Sequence, residues 1–301
     1  MTKKAIFEIQ SYIGAIEQNA SLYDEKNFDE RMDAIDFIGF HIIDQLENLL
    51  QNTAQPDELI SLRSRAEKVK HKLEEIDTNL FQKLRANIRT GRYKGKEFKN
   101  LVNEYVDFNI NKHQEEIGYD NLDIFINGLS SLPIIPEQTK DLEPEMVYYQ
   151  KTPARIVLEL VEKCHFTKDD VFFDLGSGLG QVAILVNLLA GIIVKGVEFE
   201  PAFCDYAKAC AADLNVADVT FINIDARKAD YAEGTIFFMF TPFKGGIVQE
   251  VLAVLRKESL QRKIKIITYG PCTPEVASQN WLHFASPKND SIYKLSVFTS
   301  L

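Results

Sequence analysis

The 301-residue chain has no apolar run approaching the roughly 20 residues that a membrane-spanning helix needs. Its first residues, Met1-Thr2-Lys3-Lys4-Ala5-Ile6-Phe7-Glu8, lack the apolar stretch of a secretory signal, so a cytoplasmic location is the expectation. Cysteine is scarce. Cys164, Cys204, Cys210 and Cys272 match neither C-x-x-C nor a Cys/His ligand spacing, which points to free thiols and no metal site. The five histidines are scattered and form no set with Cys or Asp. Positive charge is also short: 34 Lys and Arg stand against 44 Asp and Glu, a formal net of −10. Such a chain has no long-range attraction for phosphate backbones, which argues against nonspecific nucleic-acid binding. The imbalance lies in residues 1–145, with 27 acids against 18 bases, whereas residues 146–301 carry 17 against 16. One basic stretch runs Lys83, Arg85, Arg89, Arg92, Lys94, Lys96 and Lys99, broken only by Glu97. It reads as a solvated helix end and turn, with a contact for an acidic or nucleic-acid partner as the alternative. The 46% hydrophobic and 26% charged content is that of a soluble globular protein of one large or two ordinary domains.

The first 110 or so residues have helical periodicity. Ile6, Ile9, Ile13 and Ile16 recur at three and four, as do Ile35, Ile38, Ile42, Leu46 and Leu49. The longest stripe is Leu59, Leu62, Ala66, Val69, Leu73, Ile76 and Leu80, which packs a helix against neighbours at a shallow angle. Residues 1–128 are therefore expected to form a helical bundle domain. Residues 129–145 contain Pro133, Pro136 and Pro144, which block regular helix and make this the linker.

From Met146 to Leu301 the rhythm changes to strand then helix. Strand candidates are 171–174, 192–198, 219–223, 235–240 and 264–269. Helices are expected at 180–190, 201–214 and 246–258, with a weak one at 226–232. This alternation implies a parallel sheet with right-handed crossovers. Trp281–Ala285 and Ile292–Thr299 then read as a closing hairpin. Thr152 with Pro153 is expected to start a helix, as N-cap and first-turn residue. The first strand ends on Asp174, followed by Gly176, Ser177, Gly178 and Gly180 in a G-x-G-x-G spacing, then an apolar helix. Glycines let a ligand approach the backbone closely, and the helix start offers unpaired N–H groups. Glu198 ends the second strand, where a carboxylate can accept both hydroxyls of a ribose. Asp225 and Ala226 follow the third strand, on the same carboxyl edge of the sheet where ligands bind open α/β folds.

The loop pattern resembles motif I of class I S-adenosylmethionine-dependent methyltransferases. Asp174-Leu-Gly-Ser-Gly-Leu-Gly-Gln181-Val182 is similar to the Asp-Leu-Gly-Ser-Gly-Val-Gly-Gln-Val of Dot-type histone lysine methyltransferases. Val147-Tyr148-Tyr149-Gln150-Lys151-Thr152 partly matches their Val-Tyr-Gly-Glu-Thr, and Thr241-Pro242-Phe243 stands where they carry Asn-Asn-Phe. The resemblance covers about 155 residues and implies a Rossmann-like, seven-stranded α/β methyltransferase sheet with a C-terminal antiparallel hairpin, preceded by the all-α domain. It implies S-adenosyl-L-methionine as cofactor, with Asp174 at its methionine end and Asp225 and Ala226 at its adenine. It also implies that Tyr148, Gln150 and Thr152 lie over the methionine moiety. Tyr148, Thr241 and Phe243 become the candidates at the acceptor, where aromatic walls would desolvate a nucleophile.

The expected activity is methyl transfer to an unidentified acceptor, with a protein amine or lysine slightly favoured over a small molecule or RNA. The rivals are a methyltransferase-like fold kept as a non-catalytic binding or regulatory module, and a nicotinamide dehydrogenase. The glycine spacing and the hairpin disfavour the dehydrogenase. Sequence does not choose an oligomeric state or a role for the helical half.

Overall fold

A computed structural model of the chain describes residues 2–51, 56–107, 118–130, 132, 134–285 and 291–301. Two compact units emerge, residues 1–85 with 100–107 and residues 86–99 with 108–301.

The first unit is helical: α1 (Thr2–Gln18), α2 (Phe28–Asp36), α3 (Asp44–Leu50), most of α4 (Asp57–Arg89) and the end of α5 (Lys96–Asn103). A π-helical turn at Phe37–Ile43 joins α2 to α3 and keeps Ile38 and Ile42 buried. On α4, Leu59, Leu62, Ala66, Val69, Leu73 and Leu80 are buried as their spacing requires. Ile76 departs from the expected stripe and is only half-buried; the inward residue beside it is Asp77. That carboxylate is tolerated because the fully buried Arg31 of α2 donates to Asp77 Oδ1 through Nε (2.8 Å) and Nη2 (2.6 Å). The same guanidinium donates to the carbonyls of Leu22, Asp24 and Glu25, so one ion pair also ties down the chain between α1 and α2. The basic stretch is met by acids: Lys83 pairs with Glu25, Arg89 with Asp213, Lys94 with Asp218 and Lys99 with Glu162.

The second unit places α6 (Asn121–Ser130) and α7 (Ala154–Cys164) before a seven-stranded sheet. Its elements are β1 (Val171–Leu175), α8 (Gln181–Ala190), β2 (Ile193–Glu198), α9 (Pro201–Asp213), β3 (Val219–Asn223) and β4 (Ile236–Met239). There follow α10 (Gly245–Ser259), β5 (Lys265–Thr268), α11 (Thr273–Ala277), β6 (Leu282–Phe284) and β7 (Ser296–Ser300). The order is β3-β2-β1-β4-β5-β7-β6, parallel except for β7, which runs antiparallel to both neighbours. Strands β1 and β4 are apolar throughout but for Asp174, because helices cover both sheet faces. The order reverses between β1 and β4, which opens a crevice at their carboxyl ends.

Several expectations need amendment. Residues 226–232 form turns, not a helix, while α11 was not anticipated. Strand β7 starts at Ser296, later than expected, and residues 286–290 of the hairpin turn, like Ser131 and Pro133 of the linker, lie outside the described residues. Helix α6 packs on α7 and α8 within the second unit. Thr152 is not the cap of α7. Pro153 holds the cap position without a side-chain acceptor, and Asp123 of α6 supplies it, accepting from Ala154 N at 2.8 Å.

Breaking the Arg31–Asp77 pair leaves an uncompensated buried charge, which typically costs about 3–5 kcal/mol. Arg31→Met should therefore lower the denaturant midpoint sharply, while Arg31→Met with Asp77→Leu should recover much of the loss. Equal midpoints for the single and double variants would refute this account of the helical core.

Candidate active site

Asp174 is the last residue but one of β1; it is 3% exposed and paired in register with Gly196 and Phe238. Its Oδ2 has no hydrogen-bond partner in the protein. Burial, with the nearby Glu198 carboxylate as a second cause, pushes its pKa up to about 8. Ser177 Oγ and Gln181 Oε1 are likewise buried and unpartnered. Asp174, Ser177 and Gln181 line one small pocket together with Gln150, Thr152 and Val182. A buried polar atom left unpaired is costly, so three acceptor-bearing groups at one pocket mark a place for a ligand that donates.

The glycines keep the loop low. Gly176 and Gly178 have φ of +76° and +51°, and a Cβ on either would lie 2.2 Å from Pro242 Cβ or the Tyr149 ring. The Tyr149 ring covers Gly178 and packs edge-on against Phe203. On its other side lies a larger cleft of about 1050 Å³ including its open mouth, which Gly176, Glu198, Asp225 and Ala226 help to line.

Glu198 does more than face that cleft. Its Oε2 accepts from Gly178 N (2.7 Å) and its Oε1 from Glu200 N (2.8 Å), so the strand-end acid also fixes the glycine loop. Each oxygen retains a lone pair for a further donor. Asp225 is held by Arg227, which donates to both of its oxygens and keeps the carboxyl below the usual carboxylate range. Arg227 also reaches Glu143 (2.6 Å), clipping an upstream strap to the β3 end. The strap is sewn down further along. Glu145 accepts from Ile247 N (2.9 Å) at the start of α10, and Val147 N donates to the Pro242 carbonyl (3.1 Å). Glu200 is the N-cap of α9; it accepts from Ala202 N, and also from Thr139 Oγ1 and Lys140 N, so the linker is bound to the carboxyl edge of the sheet.

The acceptor candidates fall at the cleft but differ in setting. Tyr148 is 78% exposed at the mouth, Thr241 lies on the wall, and Phe243 is buried in the core while still lining the cleft. Thr241 has φ +42°, a left-handed conformation that a β-branched residue rarely adopts, between the β4 end and Pro242. Such local strain clusters at functional loops. Phe240, Pro271 and Tyr293 also line this end; sequence reasoning did not single them out, and α11 beside Pro271 carried no strong period. Gln181 and Arg227 were equally missed, although both sit within two residues of motif glycines or acids. Among the described residues no cluster could hold a metal ion.

This sheet order, with its glycine loop and strand-end acids on one crevice, defines a Rossmann-like class I methyltransferase fold. Within it, residues 143–237, under a third of the chain, match the family model for histone methylation protein DOT1. Similar solved structures include an RNA methyltransferase from Salinibacter ruber in complex with S-adenosyl-L-homocysteine, at 21% identity and TM-score 0.39, covering 50% of this chain and 92% of that one. A precorrin-6y C5,15-methyltransferase from Geobacter metallireducens gives 15% identity and TM-score 0.39, covering 52% and 92%. No curated protein matches the chain.

Asp174 gives the ligand-free protein a pH signature. Its folded pKa of about 8 lies above the ordinary 3.8, so the folded state holds a proton that the unfolded state releases. Stability should fall as pH rises across that window. Asp174→Asn removes the ionisation, so its melting temperature should exceed that of wild type by a margin that widens from pH 6 to pH 9. A constant margin in thermal melts would show that Asp174 titrates normally.

Proposed function

We propose that the protein is an S-adenosylmethionine-dependent methyltransferase acting on a protein amine. The observation that carries the cofactor assignment is the small pocket, where Asp174 Oδ2, Ser177 Oγ and Gln181 Oε1 have no protein partner. The residues suit this cofactor. An ammonium can donate to that pocket, Glu198 retains acceptor capacity for ribose hydroxyls, and Asp225 with Ala226 N borders the far end of the cleft for an adenine. The glycines let Pro242 and the Tyr149 ring close over the loop, where a Cβ would collide with either. When bound, the cofactor supplies a methyl group already activated on a sulfonium, so the protein contributes alignment and exclusion of water.

Support for an amine comes from the state of the acids. The cleft is lined by the carboxylates Glu198, Glu200 and Asp225, and each is engaged by backbone N–H groups or by Arg227. No histidine lines it. A nucleophile that attacks through its own lone pair needs a positioned base least. Phe240, Phe243, Tyr148 and Tyr293 supply an aromatic slot, and desolvation in such a slot lowers the pKa of an incoming ammonium toward the reactive neutral form. The family whose model matches residues 143–237, a histone methylation protein, is consistent with this acceptor class.

Isothermal titration should detect binding of S-adenosylmethionine and S-adenosylhomocysteine. Removing one member of a buried charge pair costs at least ~2 kcal/mol, so Asp174→Ala should weaken S-adenosylmethionine roughly 30-fold or more, and Glu198→Ala should also weaken it. Tritiated methyl groups should enter protein, and mass spectrometry should place them on amine side chains. Label confined to RNA or small molecules would overturn the acceptor, and absent binding would overturn the cofactor.

A further inference from the structure

Helix α6 precedes the stretch matched by the family model, yet Asn127 on it reaches the wall of the small pocket. Its Oδ1 accepts from Gln181 Nε2 at 3.1 Å and also from Lys151 Nζ. An ammonium has no acceptor, so the Asn127 atom that faces Lys151 must be oxygen. The same oxygen faces Gln181, which must therefore present its amide nitrogen. The carbonyl end of Gln181 is left for the pocket, where Oε1 is buried without a partner beside Asp174 and Ser177. The two ends of an amide are nearly identical in shape, and only the hydrogen-bond network selects between them. An inverted Gln181 would aim N–H groups at a cationic ligand end.

We infer that Lys151 and Asn127 are positioning residues that fix the polarity of this pocket, so that it takes the primary ammonium of an amino-acid ligand end and rejects a carboxylate there. The inference rests on the cofactor assignment above and adds two residues to it. Substitutions at the two positions separate a polarity role from a structural one. Asn127→Leu and Lys151→Met release the constraint. Asn127→Asp keeps an acceptor-only group toward both neighbours, and Lys151→Arg keeps a donor-only one.

The test is titration of the full chain with S-adenosylhomocysteine and with 5′-methylthioadenosine, which lacks the amino-acid end. Asn127→Leu and Lys151→Met should lose about tenfold in affinity for S-adenosylhomocysteine and nothing for methylthioadenosine. Asn127→Asp and Lys151→Arg should stay close to wild type for both. Equal losses for the two nucleosides, no loss for either, or a loss in Asn127→Asp as large as in Asn127→Leu would overturn the inference. A wild-type protein that binds neither nucleoside would instead remove the cofactor assignment, and this inference with it.

Discussion

A carboxylate with an unpaired oxygen, buried at the end of the central strand, is the constraint on which the rest of the second unit depends. Asp174 sits where β1 meets the reversal of strand order, and its Oδ2 has no partner in the protein. Its ionised form is disfavoured there by burial and by Glu198. The glycine loop beside it admits Pro242 and the Tyr149 ring so closely that a Cβ on Gly176 or Gly178 would collide with them. The stability lost in holding Asp174 there is what a cationic ligand end would restore, since ligand binding to the folded state alone stabilises it.

Acidic side chains elsewhere in this unit do a different job. Asp123 caps α7 from α6, Glu145 caps α10 from the strap, and Glu200 caps α9 while gripping Thr139 and Lys140. Each joins a helix start near the crevice to a segment distant in sequence. Because a carboxylate can accept several N–H groups at once, one residue satisfies a helix terminus and anchors a connection. The segment read as a linker thus becomes part of the cleft wall, with Gln138 and Leu142 lining it. Part of the acid excess in residues 1–145 serves this stitching.

Elements with a strong period or a steric requirement were legible in the chain. The parallel strands announced themselves as short apolar runs, and the loop as alternating glycines, because each pattern follows from local geometry. Asp174, Glu198 and Asp225 were singled out from their places at or just past strand ends. What escaped was set by partners remote in sequence. Asp77 displaced Ile76 from the α4 stripe only because Arg31 lies opposite. Thr152 lost the cap of α7 to Asp123, 31 residues before the Ala154 N–H that it accepts. Gln181 was visible as a letter of the motif, but the direction of its amide depends on Asn127 and Lys151, which no spacing connects. Periodicity records which face is buried; it does not record which polar atom waits there.

The same distinction separates the two ends of the cleft. One end is built from strand termini and one tight loop, whose backbone path demands particular residues. The other is built from the strap, the β4–α10 loop and the segment after β5, which bear Tyr148, Thr241, Phe243, Pro271 and Tyr293. These loops meet where Thr241 is held left-handed, its Oγ1 within 3.4 Å of Cys272 N and against Gly270, which has no Cβ to collide with it. An asparagine would adopt that backbone more easily than a threonine. Threonine there places a small hydroxyl, not an amide, on the cleft wall among aromatic rings. That hydroxyl accepts from Cys272 N, so the strained residue ties the end of β4 to the segment after β5 and shapes the wall between them.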